Sequence, residues 1–125
     1  MNKYKHHLIV FFIIALCISY ATAEQNISGK WIMDVQSEFG SGTPTFELVQ
    51  EGETVAGTYQ GQLGESQVTG TVKGNKVELN FKAEGMGQEM TIQYIGTLEE
   101  DGSMKGTVKL GDFGEGTFTG KKEEK

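Results

Sequence analysis

The chain has 125 residues, with 17 acidic side chains against 11 basic ones and a formal net charge of −6. Its single cysteine, Cys17, and both histidines, His6 and His7, sit near the N-terminus, and no arginine occurs anywhere. An acidic surface of this kind repels nucleic-acid phosphates and anionic membranes, so neither is expected as a partner.

The first 23 residues read as a secretory signal peptide. Lys3 and Lys5 precede an apolar run from Leu8 to Ile18, and Ala21-Thr22-Ala23 offers small residues for cleavage. The run is short for a transmembrane helix. Leu16 stands before Cys17 where lipoprotein processing needs a small residue, which argues against acylation. The expectation is a secreted or periplasmic protein with one domain, residues 24–125. That domain carries no cysteine and no histidine, so disulfides, thiolate chemistry and the commonest metal sites are not expected in it. No cofactor is expected either.

Beyond the leader, alternation of apolar and polar residues dominates and no 3.6-residue period stands out. Eight strands are predicted, over Lys30–Val35, Thr45–Gln50, Thr54–Gln60, Gln67–Lys73, Lys76–Ala83, Glu89–Leu98, Ser103–Leu110 and Glu115–Lys121. The connectors are short and glycine-rich, with two-residue turns expected at Glu51-Gly52 and Gly74-Asn75 and a further hairpin closed at Asp101-Gly102. Eight successive antiparallel strands form an up-and-down meander, and closing it into a β-barrel removes both exposed edges. The predicted fold is therefore all-β, an eight-stranded antiparallel up-and-down barrel.

Alternation assigns the interior to Trp31, Met33, Val35, Phe46, Leu48, Val55, Tyr59, Val68, Val72, Val77, Leu79, Phe81, Met90, Ile92, Tyr94, Leu98, Met104, Val108, Leu110 and Phe118. Gly-Thr pairs recur at Gly57, Gly70, Gly96, Gly106 and Gly116, with each glycine on the interior face. Glycine weakens a strand unless something must come close to its backbone. The expected reason is a large cross-strand side chain lying over the bare main chain, Leu79 over Gly70 and Phe46 over Gly57, with sharper coiling of the strand.

Several short motifs in shared order resemble the avidin and streptavidin family within the wider calycin group. Gly29-Lys30-Trp31 opens the first strand, Asp34 and Ser37 follow at matching offsets, and Val55-Ala56-Gly57-Thr58-Tyr59 resembles the third strand. Glu65-Ser66 ahead of Val68-Thr69-Gly70 resembles the lead into the fourth, and Gly114, Phe118 and Thr119 resemble the last. The resemblance implies a ligand-binding barrel with Ser37 and Tyr59 as interior hydroxyls and Trp31 packed across the closed base, against Lys121 or Lys122. It does not imply biotin. Met33, Gly61 and Gly116 stand where the family bonds that ligand, and Trp31 is the sole tryptophan.

The meander sends Gln36 to Pro44, Gly61 to Gly64, Glu84 to Gln88 and Gly111 to Gly114 to one end. Each carries one large apolar residue: Phe39, Leu63, Met86 and Phe113. Connectors are normally polar, so this rim is the expected site for a small apolar ligand or a protein surface. Ser37, Tyr59 and Tyr94 are the interior polar candidates below it. The alternatives are a filled barrel whose rim residues fold inward, and an enzyme using Asp34, Glu38, Asp112 or Glu115 as acid and base. Acids are abundant and no spacing singles out a pair, so no catalytic residue and no metal ligand is assigned. Glu99-Glu100-Asp101 lacks a calcium loop of EF-hand length, and Asn26-Ile27-Ser28 is a glycosylation sequon.

Overall fold

In the computed structural model, residues 26–85 and 87–123 are described; the expected signal peptide and rim residue Met86 lie outside them. The strands are β1 (Gly29–Ser37), β2 (Gly40–Gly42), β3 (Thr45–Glu51), β4 (Thr54–Gly61), β5 (Gly64–Lys73), β6 (Lys76–Gly85), β7 (Gln88–Leu98), β8 (Met104–Leu110) and β9 (Glu115–Lys122). β1 pairs antiparallel with both β2 and β3, each strand from β3 onward pairs antiparallel with the next, and β1 also pairs with β9 from Trp31↔Lys122 to Ser37↔Gly116, which closes the sheet into a barrel. Among the described residues there is no helix.

Nine strands make eight staves because β2 and β3 are one strand interrupted by chemistry. Val35↔Gly42 and Ile32↔Thr45 share a single register against β1, so no residue is gained or lost between them. Pro44 falls in the gap. It has no N–H to give the ladder, although its carbonyl still accepts from Met33 N–H at 3.0 Å. The predicted connector from Gln36 to Pro44 is thus mostly strand, with a tight turn at Glu38-Phe39. The strands also run further toward the rim than the alternation indicated, leaving only Gln62-Leu63 between β4 and β5.

Register corrects one turn. Glu51 pairs with Thr54, so the turn is Gly52-Glu53 rather than Glu51-Gly52, and Gly57 lies opposite Leu48 rather than Phe46. The Gly74-Asn75 turn gives Val72↔Val77 and Gly70↔Leu79 as expected, and the positive φ of Gly74, 61°, is a conformation that suits glycine in such a turn. Between β7 and β8, Asp101 Oδ1 accepts from Ser103 N–H at 2.9 Å and Ser103 Oγ–H at 2.6 Å, which holds that carboxyl below its ordinary range.

All twenty side chains assigned inward are buried or packed partly buried against the core. Two more join them, Ile27 and Ala83. Ile27 precedes β1 and belongs to no alternating run; it is only 1% exposed, and its carbonyl accepts the Trp31 indole N–H at 2.9 Å. Its own N–H donates to Gln50 Oε1 at 2.9 Å. The base of the barrel is therefore plugged by Ile27 and Trp31 with the indole satisfied, as a buried indole requires. Lys122 is the cross-strand partner of Trp31, and its aliphatic stem lies against Gly29.

The strand glycines answer to the main chain more than to side chains. A Cβ on Gly57 would collide with the carbonyl oxygen of Glu47, on Gly70 with that of Glu78, on Gly106 with that of Ile95 and on Gly116 with that of Gln36. In each case the oxygen belongs to the residue preceding the glycine's cross-strand partner. One close approach is repeated around the barrel. Gly96 alone fits the expected side-chain account, since its Cβ would meet Phe118 Cζ at 2.8 Å.

Because the obstacle is backbone, even the smallest side chain is excluded. Gly70→Ala should destabilise by at least about 1–3 kcal/mol, the range for overpacking, while Thr71→Val on the exposed face should shift stability by under about 0.5 kcal/mol. Urea melts of the two variants check this, and equal losses would mean that the close approach at Gly70 is not real.

Candidate functional site

The barrel is packed unevenly along its axis. Phe46 is the hub of an aromatic layer, with edge-on contacts to Tyr59, Phe81 and Tyr94 at ring-centre distances of 5.4, 5.9 and 5.0 Å. Tyr59 stacks on Phe81 at 4.2 Å, and Tyr94 meets Phe118 at 5.0 Å. Such contacts hold rings in defined orientations, each stabilising by about 0.5–1.5 kcal/mol beyond area burial. Between this layer and the rim lies a cavity of about 290 Å³, floored by Tyr59 and Tyr94 and reaching Phe39, Leu63 and Phe113.

The geometry of the staves explains the space. Met90, Ile92, Val108 and Leu110 from β7 and β8 form one wall, and Val35 and Ser37 from the upper half of β1 another. Beside Val35 and Ser37, on the strand paired with them, stand Gly40, Ser41 and Gly42, followed by Pro44, which present little side chain to fill the volume. Tyr59, Tyr94, Gln62, Leu63, Phe39 and Phe113 complete the lining. The volume lies just below the range of about 300–1,000 Å³ for small-molecule sites.

Of the sequence-predicted residues, Phe39, Leu63, Phe113, Ser37, Tyr59 and Tyr94 all line this one cavity. Met86 lies outside the described residues. The rim is neither a sealed lid nor a fully open mouth: Phe39 is 52% exposed and Phe113 37%, while Leu63 is half-buried against the core. The Phe39 ring leans over Gly114, where an added Cβ would sit 3.1 Å from Phe39 Cε2.

The three polar candidates differ in what their hydroxyls can still do. Ser37 Oγ–H donates to the Gly40 carbonyl at 3.1 Å and accepts from Phe39 N–H at 3.1 Å, so it braces the β1–β2 turn. Tyr59 and Tyr94 are buried to 3% and 4% exposure. Burial pushes the Tyr59 phenol above its ordinary value, partly offset by the Leu63 backbone. Burial pushes Tyr94 much further up, and charge on neighbouring Tyr59 would raise it again. Both phenols are neutral at physiological pH.

Other positions singled out from the sequence fall elsewhere. Asp34, Glu38, Asp112 and Glu115 are exposed, and none lines the cavity. Met33, at the position where the resembling family has a polar ligand contact, is fully buried with its sulfur against Gly120. A Cβ on Gly61 would meet the Tyr59 hydroxyl at 2.5 Å, so a side chain there would require the phenol to shift from its present place. Sequence reasoning missed the β2 hairpin as a wall; the signal was present in Gly40, Gly42 and Pro44, small or N–H-less residues beside the rim.

No protein-family model matches the chain, and neither a curated protein nor a solved structure does. The closed antiparallel barrel is compatible with a calycin-like fold.

The two phenols set an alkaline limit on the fold. Their folded pKa values are raised, so the folded state keeps protons that the unfolded chain releases above the ordinary phenol value of 10.0. Their contribution is whole below that pH and is lost progressively as pH rises above it. Denaturant melts at about pH 8 and about pH 11 should show Tyr94→Phe losing less stability than the parent between the two, because its buried hydroxyl no longer ionises on unfolding. An identical alkaline loss in both proteins would show that Tyr94 is not the group that limits it.

Proposed function

We propose that this chain is a secreted or periplasmic, non-enzymatic barrel that holds a small, mainly apolar ligand at its open end. The observation that carries the reading is the 290 Å³ cavity above the aromatic layer, walled mainly by apolar side chains and closed below. A filled barrel would have no such space. Burying an apolar ligand there would stabilise it by about 25 cal/mol for each Å² removed from water. The basic, apolar and small-residue segments before Glu24 support export. The outer face, rich in Thr, Lys, Glu and Gln, supports a role in water rather than in lipid. The exposed positions of Asp34, Glu38, Asp112 and Glu115 lend no support to acid–base chemistry in the cavity.

A protein surface as the bound partner is the second reading, favoured by one observation: the Phe39 ring stands half exposed at the tip of the β1–β2 turn. Aromatic residues at such positions are typical interface anchors. In either case the motif order from Gly29-Lys30-Trp31 to Phe118-Thr119 supports an avidin-like barrel whose site has been rebuilt for something other than biotin.

Replacing Phe39 and Phe113 together by Ser should lower stability by no more than about 1 kcal/mol, since both are partly exposed, and should abolish uptake of the neutral fluorescent probe N-phenyl-1-naphthylamine. A denaturant melt paired with a probe titration checks both. A loss of about 3–5 kcal/mol, the range for buried phenylalanine, would make the rim a core lid and retire the binding reading.

Biotin should bind weakly or not at all. Each absent polar partner forfeits about 0.5–1.5 kcal/mol, and more where a ligand atom is left stranded. Calorimetry that found submicromolar affinity would overturn the rebuilt-site reading.

A further inference from the structure

The floor of the cavity holds two hydroxyl groups that the protein itself leaves unused as donors. Tyr59 and Tyr94 are both more than nine-tenths buried and both line the cavity. Among the described residues, no acceptor takes the phenol proton of Tyr94, and every polar side-chain atom sealed from solvent has a partner. An unpaired Tyr94 oxygen must therefore open onto the cavity rather than into packed protein. The Tyr59 hydroxyl lies over Gly61 near the Leu63 backbone, which leaves its proton free as well. The two rings share Phe46 and Phe81 as neighbours, and their phenols are close enough for charge on Tyr59 to act on Tyr94.

Charge is the other constraint. Among the described residues that line the cavity there is no Lys, Asp, Glu or His. An ionised group placed against the aromatic floor would lose its water and gain no counter-charge, which is costly in an apolar site. Donors on the floor of an open cavity can be met by water in the free protein, and a ligand that displaces that water must bring an acceptor in its place or leave the donors stranded.

Resting on the reading of the cavity as a ligand site, we infer that its ligand is neutral and carries a carbonyl-type oxygen that accepts hydrogen bonds from Tyr94 and Tyr59. A carbonyl has two lone pairs and can take both donors at once. The rest of the molecule is a compact apolar body, packed between Ile92, Leu110 and Leu63, with its outer end under Phe39 and Phe113. Because the two rings are fixed by their aromatic neighbours, the donors are oriented before the ligand arrives, which lowers the ordering cost of binding.

Three probes of nearly one shape separate the possibilities: 2-acetylnaphthalene, 2-ethylnaphthalene and 2-naphthoate, each titrated by fluorescence against the folded domain. The ketone should bind about tenfold more tightly than the hydrocarbon, the factor of roughly one net hydrogen bond, and the carboxylate should bind more weakly than the ketone. Tyr94→Phe should remove most of that preference while leaving hydrocarbon binding within about twofold. The carbonyl stretch of the bound ketone should lie at lower frequency in the parent than in the variant, a readout that a general loosening of the barrel would not produce. If Tyr94→Phe does not fold, Tyr59→Phe and the parent's own ketone preference carry the test. Equal binding of ketone and hydrocarbon by the parent, or tightest binding of the carboxylate, overturns the inference while the cavity remains a ligand site. Failure of all three probes to bind overturns the cavity reading itself, and the inference falls with it.

Discussion

Main-chain carbonyls pressed against bare glycine backbone set the dimensions of this barrel. At Gly57, Gly70, Gly106 and Gly116 the neighbouring strand's oxygen occupies the volume that a Cβ would need. The approach recurs on four staves, β4, β5, β8 and β9, and at the same place relative to the cross-strand partner. A sheet of only eight staves must coil strongly to meet its own edge. Glycine at these points lets each strand turn inward without leaving the ladder. Closure of β1 on β9, and with it the removal of both sheet edges, depends on that coiling.

The same narrowness determines how the interior fills. Five rings from Phe46, Tyr59, Phe81, Tyr94 and Phe118 cannot stand side by side in one plane of a small barrel. They pack edge-on and stacked around Phe46, while Ile27 and Trp31 seal the base. Large residues are thereby concentrated in the lower and middle interior. Toward the rim the walls fall to Ser37, Gly40, Gly42 and Pro44, and the space left over is the cavity. Dense packing below and open space above are two sides of one distribution of side-chain volume.

Polarity follows from the same layout. Tyrosine serves in the aromatic layer as a ring that also carries a hydroxyl, and the rings that fix Tyr59 and Tyr94 leave those hydroxyls at the cavity boundary. Ser37, which the sequence offered on equal terms with them, is diverted by the turn beside it. A hydroxyl within reach of a tight turn finds backbone partners first, whereas a phenol oxygen is held far from its own main chain.

Much of this was legible in the alternation of the chain. Period-two patterning identified the inward side chains from Trp31 to Phe118 with the exception of Ala83, because each strand here buries one face and the buried face of a closed barrel is unambiguous. The meander order then sent Phe39, Leu63 and Phe113 to one end, since each hairpin reverses direction. What the alternation could not supply was register at a turn with two glycine-compatible placements, so Gly57 was matched with Phe46 instead of Leu48. Nor could it show that Pro44 interrupts a strand without ending it, or that Ile27, outside any strand, closes the base. Those outcomes depend on distances between segments far apart in the chain. The sequence by itself determined which faces turn inward and which residues gather at the rim, because those follow from local geometry. Only the tertiary structure decided that the glycines yield to carbonyl oxygens, and that a cavity survives above the rings, because both follow from how much volume eight coiled strands can enclose.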